Sequence, residues 1–215
     1  MFADRIDAGN QLAKTLLSLG VEGDLVVAIP RGGVIVGKPI ACKLKIPLET
    51  IITKKIGAPG FPEVAIGAIA LDGSLALDQL LIKRLGISAD YLKEQQKLLR
   101  RELERRAKLY CSELYKYDLE EKTVILVDDG VATGYTVKAA AISMRRHKVK
   151  KIILAVPVCA AEAAQELSNK YVDQLVCLAI PKPFYAVGLY YKSFEQNTDQ
   201  QVLDALTLVK QENES

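Results

Sequence analysis

Apolar positions along the chain fall into two rhythms, one helical and one extended. "DRIDAGNQLAKTLLSLG" places Ile6, Leu12, Ala13, Leu16, Leu17 and Leu19 at helical spacing and ends on Gly20, a helix stop. "DLVVAIP" is a short unbroken apolar run, as expected of a strand buried on both faces, from Leu25 to Ile29. "RGGVIVGKPIACKL" reads as a glycine loop and then a helix from Val34 to Leu44, and "LETIITKKI" reads as a second strand. Strand, loop, helix, strand is the order of a parallel βαβ unit. After residue 120 the rhythm returns: "KTVILV", "KKIILAVPV" and "DQLVCLAI" are strands, and "GYTVKAAAISMRR" and "AAEAAQELSN" are helices. Five parallel strands are thus predicted, at 25–29, 49–55, 123–128, 151–157 and 174–179. They define an α/β fold with a doubly wound, mainly parallel five-stranded sheet.

The segment between the two halves breaks this rhythm. Gly57, Pro59, Gly60 and Pro62 predict irregular structure, and "AIGAIALDGSLALD" predicts a hairpin turning at Asp72-Gly73. Asp78 is placed to cap a short helix and Ser88 a long one, from Ala89 to Tyr115. That helix carries "RRELERRAK", whose acids and bases stand four apart and can pair along a solvated face. The stretch "PKPFYAVGLYYKSFEQNTDQQ" is irregular and holds five of the protein's aromatics, which predicts a hood or lid over 180–200. Thr198 is placed to cap a last helix ending near Lys210. The whole chain, 1–215, reads as one domain with an insertion at 58–118.

Composition adds little to this picture. A net charge of +3 neither requires nor forbids a nucleic-acid partner, and the paired charges of the long helix argue against one. Cys42, Cys111, Cys159 and Cys177 lack the spacing of a zinc or redox motif and predict reduced thiols. "MFADRIDAGNQ" is polar and charged from its fourth residue, and no apolar run approaches the length of a membrane span; a soluble, cytoplasmic protein is expected.

The candidate chemistry lies where the strands end, because open α/β sheets bind ligands beyond the carboxyl ends of their strands. "VILVDDGVATGYT" runs a buried strand into two adjacent acids, Asp128 and Asp129. Two ionised carboxylates side by side are costly unless cations or hydroxyls meet them. The following loop, Gly130, Val131, Ala132, Thr133, Gly134, Tyr135 and Thr136, is small, hydroxyl-bearing and opens a helix, whose free N–H groups suit an anion. It is neither a Walker loop nor a dinucleotide fingerprint. A ribose 5-phosphate site follows, with sugar hydroxyls on the acids and phosphate on the loop; a magnesium ion would offset the charge. "PRGG" supplies Arg31, Gly32 and Gly33, and Lys54 and Lys55 alternate at a strand end, so that one faces the cleft. Cations opposite a ribose phosphate suggest a second anion such as pyrophosphate. Phe184 and Tyr185 are placed to stack a planar base or to plug the fifth strand's end. His147, the lone histidine, follows two arginines at a helix end and reads as a dipole partner.

These residues resemble a known family. "VILVDDGVATGYT" resembles the phosphoribosyl-pyrophosphate signature of type I phosphoribosyltransferases, "AIPRGG" is similar to their pyrophosphate loop, and "TKK" lies where they often carry a basic pair. The resemblance covers roughly 5–57 and 120–180; with "GAPGFPE" and "FYAVGLYY" the pattern is similar to a bacterial subgroup of predicted phosphoribosyltransferases with no assigned substrate. It implies transfer of ribose 5-phosphate from magnesium phosphoribosyl pyrophosphate to a nitrogenous base or amine, with Mg2+ as cofactor and a homo-oligomeric assembly. It implies that Asp128 and Asp129 hold the ribose, Ala132 to Thr136 the 5-phosphate, and Arg31, Gly32 and Lys55 the pyrophosphate, with Lys55 catalytic. It also implies a cis peptide in the Arg31 loop. Two positions depart from the pattern. Ala132 stands where hypoxanthine-guanine members carry an aspartate base, and adenine members also carry alanine there. Gly130 stands where many members carry a larger apolar residue. Glu63 is a candidate replacement base or an ordinary exposed glutamate. The alternative function is a regulator that senses phosphoribosyl pyrophosphate or a nucleotide without turnover, and a third is a domain working beside a fused or separate hydrolase.

Overall fold

A computed structural model of the chain describes residues 1–110, 112, 114 and 117–214. Its centre is a five-stranded parallel sheet in the order β2-β1-β6-β7-β8, formed by β1 (Leu25–Ala28), β2 (Leu48–Thr50), β6 (Thr123–Val127), β7 (Lys151–Val158) and β8 (Gln174–Ala179). Alternation along each strand sends neighbouring side chains to opposite faces. Val26, Ala28, Ile125 and Ile153 join one core with Leu12 of α1 (Arg5–Ser18), Ile40 of α2 (Gly32–Leu44) and Val202 of α7 (Asp199–Glu214). Leu25, Val27, Leu126 and Leu154 join the other, with Val137 and Met144 of α5 (Tyr135–Arg146) and Leu167 of α6 (Ala161–Lys170). This two-faced burial explains the unbroken apolar runs.

Four predicted strands stand near their expected places; the one at 49–55 divides. Leu48–Thr50 pairs with β1, Ile51 and Ile52 are buried, and Thr53 opens β3 (Thr53–Ala58), which belongs to a second, antiparallel sheet with β4 (Phe61–Ala70) and β5 (Leu75–Leu77). An apolar run crossing from one buried sheet edge to another shows no break in its periodicity, which is why it reads as one strand. The expectation of irregular structure at 57–62 is also corrected. β3 and β4 form a hairpin turning at Pro59-Gly60, and register shifts around Gly57 absorb the awkward residues. The hairpin at Asp72-Gly73 is present, β4 pairing with β5.

Asp78 and Ser88 cap α3 (Gln79–Arg84) and α4 (Ala89–Leu109), accepting from the Leu81 and Tyr91 N–H groups. α4 ends six residues short of the predicted Tyr115, which lies outside the described residues, as does Cys111. Thr198 accepts from the Gln201 N–H before α7. The aromatic segment contains one 3-10 turn, Val187–Tyr190, and is pinned to the amino terminus: the Phe2 N–H donates to the Tyr190 carbonyl, and the Lys192 N–H donates to the Phe2 carbonyl. Among the described residues no helix is long and apolar enough to cross a membrane.

Candidate active site

Counting along the parallel sheet, the chain passes from β1 to β2 on one side and later returns to β6 on the other. The connections therefore diverge between β1 and β6, which is where a crevice opens in such sheets. Ala28 is paired with Val127, and the Ile29 N–H donates to the Val127 carbonyl, so the "PRGG" turn and the acid pair leave the sheet at the same level. A cleft of about 350 Å3 lies there. Of the expected site residues, Arg31, Gly32, Lys55, Asp128, Asp129, Gly130, Val131, Ala132, Thr133, Gly134 and Thr136 line it. The Pro30–Arg31 peptide is cis, as the resemblance implies.

The two acids are held differently. Asp129 accepts from Arg5 Nε at 2.7 Å. Asp128 accepts the Asp129 backbone N–H at 2.9 Å. Burial, and then the charge of Asp129, push the Asp128 carboxyl well above the usual carboxylate range, while that N–H and Lys55 pull the other way. Gly32 lies directly beneath the Asp129 carboxylate: a Cβ there would stand 1.9 Å from Oδ2 and 2.7 Å from Arg5 Nε. Its smallness thus serves the acid, letting the start of α2 press against the end of β6. Gly33 lies outside the cleft and makes the same kind of close approach to the backbone of Val127 and Asp128.

The loop after the acids is fixed by main-chain bonds. The Val131 N–H donates to the Val158 carbonyl, and the Ala160 N–H donates to the Val131 carbonyl. Gly134 is the N-cap of α5 with φ of 75°, a left-handed conformation suited to glycine, and no side chain caps the helix. An exposed Thr133 hydroxyl and uncapped N–H groups therefore face the cleft together.

Besides Gly33, three expected residues lie elsewhere. Lys54 is 3.8 Å from Glu102, whose carboxyl is drawn down to about 2 by Arg105 and then Arg106. Strand alternation sends Lys54 to that helix and Lys55 to the cleft. The Tyr135 hydroxyl donates to Asp78, away from the loop it follows. Phe184 stacks on Tyr190 at 5.6 Å and packs against the sheet's second core. Glu63 is exposed and does not line the cleft. His147 ends α5 and stands 3.6 Å from Asp72.

Other residues take the vacated places. Arg5, Ile29, Pro30, Val187 and Phe194 complete the lining. Tyr191 donates from its hydroxyl to the Asp129 carbonyl at 2.6 Å, and burial pushes its phenol up. The aromatic cluster at 184–194 was visible in the sequence, but only the fold selects Phe194 over Phe184. Arg5 had no sequence signal, because it sits in the first turn of an ordinary amphipathic helix.

The profile of the family described as the phosphoribosyl transferase domain matches residues 3–193. The chain belongs to that family. Two Mycobacterium tuberculosis proteins, from strains CDC 1551 / Oshkosh and H37Rv, are named provisionally as phosphoribosyl transferases; each is 37% identical over 203 residues. That alignment covers 94% of this chain and 46% of theirs, so the chain spans about half the length of the curated relatives it matches. Among solved structures, TT1426 from Thermus thermophilus is 36% identical with a TM-score of 0.78, covering 96% of this chain and 97% of that one. A Neisseria gonorrhoeae protein solved with bound ppGpp shares the fold at 15% identity, with a TM-score of 0.51 and coverage of 94% and 92%.

Proposed function

We propose that this phosphoribosyltransferase-family chain transfers ribose 5-phosphate from magnesium phosphoribosyl pyrophosphate to a nitrogenous base or amine and releases pyrophosphate. The observation that carries this reading is the composition of one cleft. It gathers an acid pair, an uncapped helix start beside small and hydroxyl side chains, and two cations, Arg31 and Lys55, across from them. Those parts match the ribose, the 5-phosphate and the leaving pyrophosphate in turn.

In the reaction the bond from the anomeric carbon to pyrophosphate breaks, the leaving group keeping its electron pair, a bond to the acceptor nitrogen forms, and that nitrogen's proton passes to solvent. Asp128 and Asp129 accept hydrogen bonds from the ribose hydroxyls, and the Asp129 carboxylate favours positive charge on the ring as the bond opens. Lys55 and Arg31 favour the negative charge that collects on the leaving group. Arg31 stands 3.6 Å from Asp199, a contact it exchanges for pyrophosphate when substrate enters. Among the described residues no cluster of three or more histidines, cysteines or acids could hold a metal. Magnesium, when bound with the donor, would offset phosphate charge, and Asp128 and Asp129 are the carboxylates of the cleft that could face it. Ala132 offers no proton acceptor, which points away from the mechanism of the hypoxanthine-guanine members.

The test is direct. The protein is incubated with magnesium phosphoribosyl pyrophosphate and a panel of bases and amines, and pyrophosphate and new nucleotide are measured. Release of both with at least one acceptor supports the transferase. Tight binding with no turnover across the panel would replace it with the sensing reading.

A further inference from the structure

Arg5 belongs to none of the motifs that define the cleft, yet it connects two of its walls. Its side chain is 10% exposed. Nε donates to Asp129 Oδ2 at 2.7 Å, and Nη1 donates to the Glu195 carbonyl at 2.8 Å. The guanidinium carbon lies 3.8 Å from the centre of the Phe194 ring. Phe194, Arg5 and Asp129 all line the same cleft. Tyr191, three residues before Phe194, holds the Asp129 carbonyl from the other side.

The guanidinium is planar, and its donors point in fixed directions. One plane is here bonded to the carboxylate, bonded to the Glu195 backbone and seated on an aromatic face. A shift of the 194–195 backbone therefore tilts the fork and moves the carboxylate that it holds. Asp129 keeps free capacity for a ligand, since an ionised carboxylate has about four lone-pair sites and Arg5 Nε occupies one.

We propose that Arg5 is a positioning residue that couples the Phe194–Glu195 segment to the Asp129 carboxylate, so that the position of the cleft's aromatic wall sets the ribose-binding acid. This rests on the ribose assignment made above. An acceptor that presses on Phe194 alters how firmly Asp129 grips the ribose, and the donor sugar in turn alters how Phe194 receives the acceptor.

Lysine at position 5 separates this role from simple charge balance. It keeps the cation but loses the fork, so it cannot satisfy carboxylate, carbonyl and ring at once. The probe is ribose 5-phosphate, measured by calorimetry on the parent, Arg5→Lys, Phe194→Leu and the double variant, with folding checked by circular dichroism. Arg5→Lys should weaken binding about tenfold, the worth of one charge-assisted hydrogen bond. Phe194→Leu should weaken it about threefold in the parent and leave it unchanged in the Arg5→Lys background, because the link it acts through is gone. Losses that multiply independently, or parent-like binding in Arg5→Lys, overturn the coupling and leave the transferase reading intact. Failure of the folded parent to bind either ribose 5-phosphate or magnesium phosphoribosyl pyrophosphate overturns the ribose assignment itself. Arg5→Ala provides a further readout: millimolar guanidinium should restore ribose 5-phosphate affinity to this variant, and absence of rescue in the folded protein counts against the fork.

Discussion

Val187 fills the space that a side chain at position 130 would need. A Cβ on Gly130 would stand 2.4 Å from Val187 Cγ1 and 3.0 Å from Val158 Cγ1. The C-terminal segment thus supplies, from fifty-seven residues away, the apolar bulk that many family members carry beside the acids. Gly130→Ala should overpack this contact, costing about 1–3 kcal/mol and weakening ligand binding at the adjoining loop. Pairing it with Val187→Ala should recover most of both. Thermal unfolding and ribose 5-phosphate titration of the three variants check this; a double variant no better than Gly130→Ala alone would mean the clash lies elsewhere.

Asp128 should make the fold pH-dependent. Its carboxyl is raised above the ordinary 3.8 by burial and by Asp129, so the folded state binds the proton more tightly than the unfolded chain. Below that ordinary value both states are protonated and the contribution is complete. Above it the unfolded chain ionises first, and stability falls as pH rises until the folded carboxyl also ionises. Asp128→Asn removes this loss. Its melting temperature relative to the parent should therefore climb as pH rises above that ordinary value, while its affinity for ribose 5-phosphate falls about tenfold. A difference that stays flat with pH would show that burial does not raise this carboxyl.

Asp129→Asn should affect both binding and folding. Loss of a charged acceptor should lower affinity for magnesium phosphoribosyl pyrophosphate about ten- to hundredfold. Arg5, nearly buried, also loses its counter-charge, at a cost of about 1–3 kcal/mol. Calorimetry and denaturant unfolding read the two effects separately; unchanged binding would remove Asp129 from the ribose site.

Adjacent lysines should behave differently. Lys55→Ala removes a cation from the developing charge on pyrophosphate, about 2–4 kcal/mol of transition-state stabilisation, or roughly 30- to 1000-fold in turnover. Its affinity for ribose 5-phosphate should barely change. Lys54→Ala loses only a partly exposed contact with Glu102 and should turn over like the parent. Equal losses in the two variants would contradict the strand alternation that separates them.

Sequence and structure agree best where one physical requirement writes a local pattern. Strands buried on both faces must be apolar throughout, so β1, β6 and β7 were legible, and the edge strand β8, only partly buried, was legible from its short apolar run. Asp78, Ser88 and Thr198 announce helix starts because capping acts over three residues. Asp128, Asp129 and the loop to Thr136 are contiguous, so their joint chemistry could be inferred before their geometry. Residues brought together from distant segments left no such trace. Arg5 meets Asp129 across 124 positions. Phe184 and Phe194 are equivalent in type, and only the path of the chain past Tyr191 decides which reaches the cleft. Gly32 was legible as part of "PRGG", but its smallness serves a carboxylate from another strand.

The crossing at Ile51 and Ile52 has a mechanical consequence. Only these two buried residues separate the parallel sheet from the strand that carries Lys55. The β3–β4 hairpin is clamped further out than that root: the Tyr91 hydroxyl donates to the Gly57 carbonyl, and Ile56 and Ala58 are buried. At about 3.3 Å per residue, the turn at Gly60 reaches about 10 Å beyond Gly57, whereas Lys55 lies behind the clamp. Bending beyond the clamp displaces the exposed Phe61 and leaves Lys55 where it is. The tip of the hairpin and its cation are thus mechanically separate.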